Sequence, residues 1–204
     1  MSPQKTQALM DAFKEATLLP SKKLEDTGFY RVELQAAVRD GLLKRVSPGL
    51  YRLAEAEVTE NHSLVEASER IPLGVVCLLS ALRFHQLTTQ SPHEVWMAVP
   101  RGKWLPRGKG LRVLQFAADS MKVGIEEHSI EGSRVRVTTP ARTVADCFKF
   151  RNKIGIDVAI EALRDARRSK TCSIDEIMRQ ARVCRVEKVI RPYLEAERTP
   201  IMPE

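Results

Sequence analysis

The chain has 204 residues, 43% hydrophobic and 29% charged, which predicts a soluble globular protein of one or two domains and excludes a disordered tail. Its formal net charge of +7 favours a polyanionic partner, either nucleic acid or an anionic membrane surface. The longest apolar run, residues 71–82, is too short to cross a bilayer and predicts a buried helix. Acidic residues interrupt the N-terminal apolar pattern, so we expect no secretory signal, no membrane partner and a cytoplasmic location.

Three helical patterns follow one another in the first third of the chain. Residues 3–17 and 30–41 repeat apolar side chains at helical spacing, and "PSKKLEDTGF" between them predicts one short helix. In that short helix Ser21 is the candidate N-cap. In the third helix, Leu34 and Val38 form the predicted buried stripe.

A basic hairpin comes directly after the third helix. The stretch "GLLKRVSPGLYRL", residues 41–53, has apolar residues alternating on both sides of a Pro-Gly turn. Tyr51 is predicted to pack within the hairpin rather than stack on a base. Helix, short helix, helix and hairpin is the order of a winged helix-turn-helix, which we place at residues 1–54. An acidic linker at residues 55–61 ends it.

A larger α+β domain is predicted for residues 62–204. Two helices, at residues 62–70 and 73–85, precede four alternating segments, "HEVWMAVP", "LRVLQFA", "VGIEEHSI" and "SRVRVTT", that predict strands. The segments from "PARTVADCFKFRNK" onward predict helices. The predicted fold class is therefore α+β: an N-terminal winged helix-turn-helix, then a domain with a roughly four-stranded antiparallel sheet and C-terminal helices.

The side chains that predict DNA binding lie on the third helix and the hairpin. Arg31, Gln35 and Arg39 recur at i, i+4 and i+8, and Arg and Gln can make bidentate contacts to guanine and adenine. Cations in the second helix and the hairpin would contact phosphate. An ordinary solvated helix face would carry similar residues, and the ordered set of elements favours DNA. The predicted double-stranded DNA-binding residues are Lys22, Lys23, Tyr30, Arg31, Gln35, Arg39, Lys44, Arg45, Ser47 and Arg52.

A second basic patch lies between two predicted strands. It comprises Arg101, Lys103, Arg107, Lys109 and Arg112. A charge run of this kind is usually a solvated loop. Because the cations flank Trp104, the patch also suits a second nucleic-acid contact, or docking on an acidic or RNA-bound partner.

Three stretches resemble the AbiEi antitoxin family of bacterial type IV toxin–antitoxin systems, which act in phage abortive infection. They are the hairpin "GLLKRVSPGLYRL", the helix opening "VTTPARTVADCF" and the helix "SALRFHQLT". The resemblance implies an autorepressor whose winged helix binds inverted repeats in its own promoter. It also implies that the C-terminal domain neutralises a cognate AbiEii-like nucleotidyltransferase toxin, directly or indirectly.

Arg142 and Asp146 are the antitoxin-domain candidates, one helical turn apart in "TPARTVADCF". Read from the residues alone, this segment is mainly structural: Thr139 can cap a helix, and Val144 and Phe148 can pack inward. The alternative is that the Arg142–Asp146 pair shapes an antitoxin surface.

No motif of a familiar catalytic class is present, since the chain lacks HExxH, Walker A, GxSxG and GxGxxG patterns. The four cysteines form no CxxC pair, which predicts reduced thiols without zinc. We therefore expect no enzyme activity, no metal and no cofactor. A small basic nuclease with an attached winged helix stays the alternative. Because one winged helix reads a short half-site, we expect two copies on DNA and allow a monomer in solution.

Overall fold

The structure, a computed structural model, describes residues 1–103 and 108–196. The chain divides into two compact units. The first comprises Met1–Leu73 with Glu127–Val135, and the second comprises Gly74–Glu126 with the described chain from Arg136 onward. The first unit extends past the predicted winged helix at 1–54 and the linker at 55–61, because the next helix and the tip of a later hairpin pack with it. The segment predicted as a winged helix thus forms only a part of the first unit.

Helices and short strands alternate in the first unit. In chain order they are α1 (Pro3–Ala12), β1 (Leu19–Pro20), α2 (Ser21–Asp26), α3 (Arg31–Arg39), β2 (Leu43–Ser47), β3 (Leu50–Leu53) and α4 (His62–Arg70). The strands form a three-stranded sheet in the order β1-β3-β2, with both pairs antiparallel. The elements of the first unit include three helices and a hairpin in the predicted order, and β1 is a third strand that was not predicted.

Three local expectations in the first unit are wrong. Helix α1 ends at Ala12, before the predicted end at Thr17. Pro20, not Ser21, is the N-cap of α2, because Pro20 has an extended backbone as the last residue of β1. On α3 the inward residues are Leu34 and Ala37, so Val38 is turned partly outward and is 36% exposed.

The core of the first unit joins its helices to the hairpin. Its buried members include Leu9, Leu24, Leu34, Leu43 and Tyr51. Each comes from a different element, so α1, α2, α3, β2 and β3 share one apolar interior. The packing role predicted for Tyr51 is confirmed, and the burial of these residues holds α3 with its polar face outward.

The second unit contains most of a mixed sheet and the C-terminal helices. The elements after α4 are β4 (Val75–Val76), α5 (Leu78–Phe84), β5 (Val95–Pro100), β6 (Leu111–Phe116), a 3₁₀ helix (Ala118–Lys122), β7 (Ile125–Ile130), β8 (Ser133–Thr138), α6 (Pro140–Lys149), α7 (Arg151–Ile154), α8 (Ile156–Arg168), α9 (Ile174–Cys184) and α10 (Glu187–Ala196). The sheet order is β6-β5-β4-β8-β7.

The α+β fold class is confirmed, and the details of the sheet differ from the prediction. The sheet has five strands because β4 supplies a short central one. It is mixed rather than antiparallel, since β5 pairs parallel to β6 and β4 pairs parallel to β8. The alternating sequence pattern identifies strands without revealing their direction, because side chains alternate between faces in both kinds of pairing.

The apolar run at residues 71–82 is not one buried helix. Val75 and Val76 form β4, and α5 begins only at Leu78. Both valines are fully buried and pair with β5, so strand pairing outweighs the helical reading of this run. The predicted helix at 140–153 is likewise divided, ending at Lys149 and restarting as α7 at Arg151.

The core of the second unit lies between the sheet and the helices. Its buried members include Trp96, Phe116, Phe148, Leu163 and Ile190. Helix α6 is central to it, because every residue from Ala141 to Phe148 is buried. In the described part of the chain, no helix combines the length and apolar character needed to span a bilayer.

Candidate nucleic-acid interface

The exposed face of α3 carries the three residues predicted to read DNA. Arg31, Gln35 and Arg39 are all exposed, whereas Leu34 and Ala37 are each 1% exposed. Because residues three and four apart lie on one side of a helix, Arg31 and Gln35 are neighbours, as are Gln35 and Arg39. The face is therefore continuous along the whole nine-residue helix.

Next to this face, a cleft of about 350 Å³ lies between α2, α3 and the hairpin. It is lined by Ser21, Glu25, Arg31, Leu34, Gln35, Val38, Arg45, Gly49 and Tyr51. The lining brings together Arg31 and Gln35 from α3 with Arg45 from the hairpin. It also contains the Glu25 carboxylate, so the cleft offers donors and an acceptor side by side. Such a mixture can hydrogen-bond base edges as well as phosphates.

The remaining predicted residues lie on the same elements or next to them and differ in how far their side chains are exposed. Lys22 and Lys23 are exposed in the first turn of α2, and Lys44 is exposed on β2. Tyr30, the N-cap residue of α3, is 62% exposed. Ser47 is half-buried, and its Oγ atom has no hydrogen-bond partner among the described residues. The three lysines and Tyr30 are thus accessible to a ligand.

Two of the predicted arginines already have partners within the chain. The Nη1 atom of Arg52 donates to the carbonyl oxygens of Leu53 and Ala56, 3.2 and 3.3 Å away, which holds this side chain against its own backbone. The Nε atom of Arg39 lies 3.5 Å from the Asp40 carboxylate. Hydrogen bonds from the N-terminal amino group and then from Arg39 hold the pKa of Asp40 below its usual value. Arg52 is therefore the least available of the predicted arginines, whereas Arg39 stays 79% exposed and its contact with Asp40 is a weak surface pair.

Sequence reasoning missed Val32 on this face of α3 and assigned Val38 to the buried stripe, whereas Tyr30 was among the predicted DNA-binding residues. Val32 is 75% exposed, and Tyr30 and Val38 are 62% and 36% exposed. The helical spacing of the sequence contained the signal, because Val32 lies three residues before Gln35 and so shares its side of the helix. An ordinary solvated face would carry polar residues at these positions.

The positive charge of the chain is unevenly divided between the two units. The first unit contains 11 Lys and Arg against 13 Asp and Glu, a formal net charge of −2. The second contains 22 against 13, a net charge of +9. The predicted winged helix, residues 1–54, contains 9 Lys and Arg against 6 Asp and Glu, a net charge of +3, so the acidic total of the first unit comes from residues 55–73 and 127–135. An electrostatic argument for DNA binding depends on where the cations of the first unit lie, not on their number.

The cations of the second basic patch lie at the two ends of the parallel β5–β6 pair in the second unit. Arg101 and Lys103 follow β5 and lie beside the end of β6, whereas Lys109 and Arg112 lie at the start of β6. Arg101, Lys103, Lys109 and Arg112 are exposed there, and Arg107 lies outside the described residues. The guanidinium of Arg112 stacks 4.4 Å from the centre of the Trp96 ring, its partner in the β5–β6 register. A stacked guanidinium keeps its N–H groups free for an anion. Within the described chain, none of these four cations has a carboxylate partner.

Arg142 and Asp146 form a buried ion pair in the core of the second unit. Their side chains are 1% and 0% exposed, and Arg142 Nε lies 2.9 Å from Asp146 Oδ2. The Nη1 atom of Arg142 also donates to the carbonyl oxygens of Ser120 and Val123, at 2.9 and 3.0 Å. Cys184 Sγ donates to the other carboxylate oxygen, Asp146 Oδ1. Because the pair is buried, it cannot itself form an antitoxin surface.

The surroundings of this pair confirm the structural reading of "TPARTVADCF". Thr139 caps α6 by accepting a hydrogen bond from the Arg142 backbone, and Val144 and Phe148 are fully buried. Burial raises the pKa of Asp146, although the Arg142 charge opposes that effect. Burial also raises the pKa of Cys184, so its thiol stays protonated and acts as a donor. The four cysteines are free thiols.

The carboxylate of Glu131 holds the linker within the first unit. Glu131 lies in the turn between β7 and β8 and accepts hydrogen bonds from Thr59 N at 2.7 Å, Thr59 Oγ1 at 2.8 Å and His62 Nδ1 at 2.8 Å. Burial tends to raise the pKa of Glu131, but the hydrogen bonds from His62 and Thr59 outweigh it and lower the pKa. Over the residues that the structure describes, no group of three or more His, Cys, Asp or Glu side chains could hold a metal ion.

No protein family matches this chain by sequence, and no curated protein is similar to it. Among solved structures, the crystal structure of the RV2827C protein from Mycobacterium tuberculosis is similar, with a TM-score of 0.61 and 13% sequence identity. The similarity covers 98% of this chain and 83% of that one. At this level of identity the comparison supports the α+β fold of the chain and nothing about its chemistry.

Proposed function

We propose that this protein is a DNA-binding transcriptional repressor whose first unit reads operator DNA through α3. The carrying observation is the exposed Arg31–Gln35–Arg39 face beside a cleft that the hairpin cation Arg45 also lines. Lys22, Lys23 and Lys44 on the neighbouring elements are exposed and would contact phosphates, which would orient α3 in the major groove. Two copies would bind an inverted repeat, one per half-site.

The wider role we propose is that of an AbiEi-like antitoxin and autorepressor acting in the cytoplasm. This part rests on the resemblance carried by the hairpin and by "VTTPARTVADCF". The second unit would then counteract a nucleotidyltransferase toxin. The exposed cations at either end of the β5–β6 pair are accessible residues in that unit whose substitution can test such a contact.

A gel-shift titration on the DNA immediately upstream of the gene tests the repressor proposal. The wild type is compared with Arg31→Ala/Arg39→Ala and with Arg182→Ala/Arg191→Ala, a control that removes two exposed arginines from α9 and α10. We expect tight binding over scrambled DNA, lost in the α3 variant and kept in the control. Each base-contacting arginine should contribute about 1–3 kcal/mol. Equal, weak binding to both DNAs that disappears at high salt would refute the proposal.

Co-expression tests the antitoxin part separately. A nucleotidyltransferase encoded beside this gene is expressed from an unrelated inducible promoter, so that repression plays no part in the outcome. We expect this protein, and equally its Arg31→Ala/Arg39→Ala variant, to restore growth. Growth arrest that persists with the wild-type protein would contradict the antitoxin role and leave the repressor role standing.

A further inference from the structure

We propose that Val32 reads a thymine in the operator by packing against its 5-methyl group in the major groove. This rests on the proposed DNA-binding function and assigns a base-specific contact to a residue that is neither charged nor polar. Val32 would act beside Arg31 and Gln35, which hydrogen-bond to neighbouring base edges.

The Val32 side chain is left largely uncovered by the residues that the structure describes. At 75%, it is the most exposed large hydrophobic side chain among the described residues. Covering a valine side chain is worth about 1.5–3 kcal/mol, so an uncovered one is a missed stabilisation. Helix propensity does not explain it either, because β-branched residues are weaker helix formers than Ala, Lys or Glu. A ligand that covers Val32 would supply the missing burial.

The position of Val32 fits a base contact. It is the second residue of α3, and residues near the N-terminus of a recognition helix contact base edges. Gln35 follows three residues later and lies on the same side of the helix. Arg31, which precedes Val32, lines the cleft beside this face together with Gln35. Val32 therefore lies on the part of α3 that would enter the groove.

Charge around the helix favours DNA over an apolar protein partner. Exposed cations lie on α3 and on the two neighbouring elements: Arg31 and Arg39 on α3, Lys22 and Lys23 on α2, and Lys44 on β2. The same helices also carry Glu25, which lines the cleft, and Glu33, which is paired with Lys5. A phosphate backbone would neutralise these cations, whereas an apolar protein surface would leave them without a counter-charge. In the major groove the 5-methyl of thymine is the apolar group that the base pairs display. A small apolar side chain on a helix that also carries exposed cations matches that arrangement.

The test replaces each thymine of one operator half-site by deoxyuridine, which removes only the 5-methyl group. Binding of the wild type, Val32→Ala and Val58→Ala is measured on every DNA by fluorescence anisotropy. Val58 is the matched control, an exposed valine in the linker. Losing one methyl contact should weaken wild-type binding about fourfold at a single position. Val32→Ala should bind the unmodified operator more weakly and be indifferent to that replacement, while Val58→Ala behaves as the wild type.

Each outcome separates this inference from the proposed function. Specific operator binding that is insensitive to every deoxyuridine overturns the Val32 contact and leaves the repressor proposal intact. The Val32 contact is likewise overturned if deoxyuridine weakens binding by Val32→Ala as much as binding by the wild type. It is also overturned if Val32→Ala changes self-association without changing DNA affinity. Absence of specific binding by the wild type refutes the proposed function, and the Val32 contact with it. Because alanine is a better helix former than valine, the variant is expected to fold.

Discussion

Replacing Arg142 by methionine should strongly destabilise the second unit. The substitution removes three hydrogen bonds, one to Asp146 and one to each of the carbonyl oxygens of Ser120 and Val123. It leaves the fully buried Asp146 carboxylate with the Cys184 thiol as its remaining donor. Removing one partner of a buried ion pair costs about 3–5 kcal/mol, which is a large part of the stability of an ordinary domain.

Urea denaturation followed by tryptophan fluorescence measures this loss. Trp96 is 4% exposed in the core of the second unit, so its emission reports unfolding there. The matched control is Arg168→Met, which breaks an i, i+3 pair with Asp165 whose arginine is 82% exposed. That surface pair should contribute at most about 1 kcal/mol, so the two variants differ by burial rather than by the type of interaction.

A double variant isolates the electrostatic part of the effect. Arg142→Met/Asp146→Leu leaves no unpaired buried charge, so it should be less destabilised than Arg142→Met alone. The carbonyls of Ser120 and Val123 stay without their donor, so recovery should be partial. A loss for Arg142→Met no greater than that of the surface control would refute the reasoning. So would a double variant as unstable as the sum of the two single variants.

Three further results are expected. The pKa of Glu131 is lowered in the folded protein, so its carboxylate stabilises the fold above the usual value of 4.5 and this contribution is lost as pH falls through the folded pKa. Glu131→Gln should therefore flatten the acid limb of stability measured by denaturation at a series of pH values, and an unchanged limb would contradict this. Gly132→Ala would place a Cβ atom against a backbone carbonyl, whereas Gly41, with the same φ of +75°, has open space around it. Gly41→Ala should cost about 1–2 kcal/mol in free energy of unfolding and Gly132→Ala clearly more, and equal losses would argue against the clash. Lys109→Glu/Arg112→Glu should reduce the salt dependence of binding to non-specific DNA if the start of β6 contacts phosphate, and an unchanged salt slope would show a solvated loop.

Local sequence signals were sufficient for most helices and strands. The three N-terminal helices, the hairpin and the four later strands follow from apolar spacing and turn residues, whose range is only a few positions. The boundaries moved where a non-local partner intervened. The clearest case is Val75–Val76, whose strand pairing with β5 and β8 divides an apolar run that is helical by periodicity. A pattern confined to a short window carries no information about such a partner.

The candidate DNA-reading face was predictable in part. The spacing of Arg31, Gln35 and Arg39 identified the exposed side of α3, because 3.6 residues per turn determine which side chains are neighbours. The same spacing puts Val32 on that side of the helix, but its residue type argued against exposure, since an apolar residue in a helix is normally assigned to the core. Nor does spacing show that Arg52 is bound to its own backbone, which depends on how the hairpin continues into the linker.

The sequence by itself determined the α+β class, the order of three helices and a hairpin near the N-terminus and the positively charged character of the whole chain, because these depend on composition and on local periodicity. Only the tertiary structure decided the direction of the strands, the burial of Arg142 and Asp146, and the net charges of −2 and +9 on the two units. Each of these depends on residues far apart in the chain being brought together. Whether a cation faces solvent, DNA or a buried carboxylate is determined by those distant neighbours and not by the residue type.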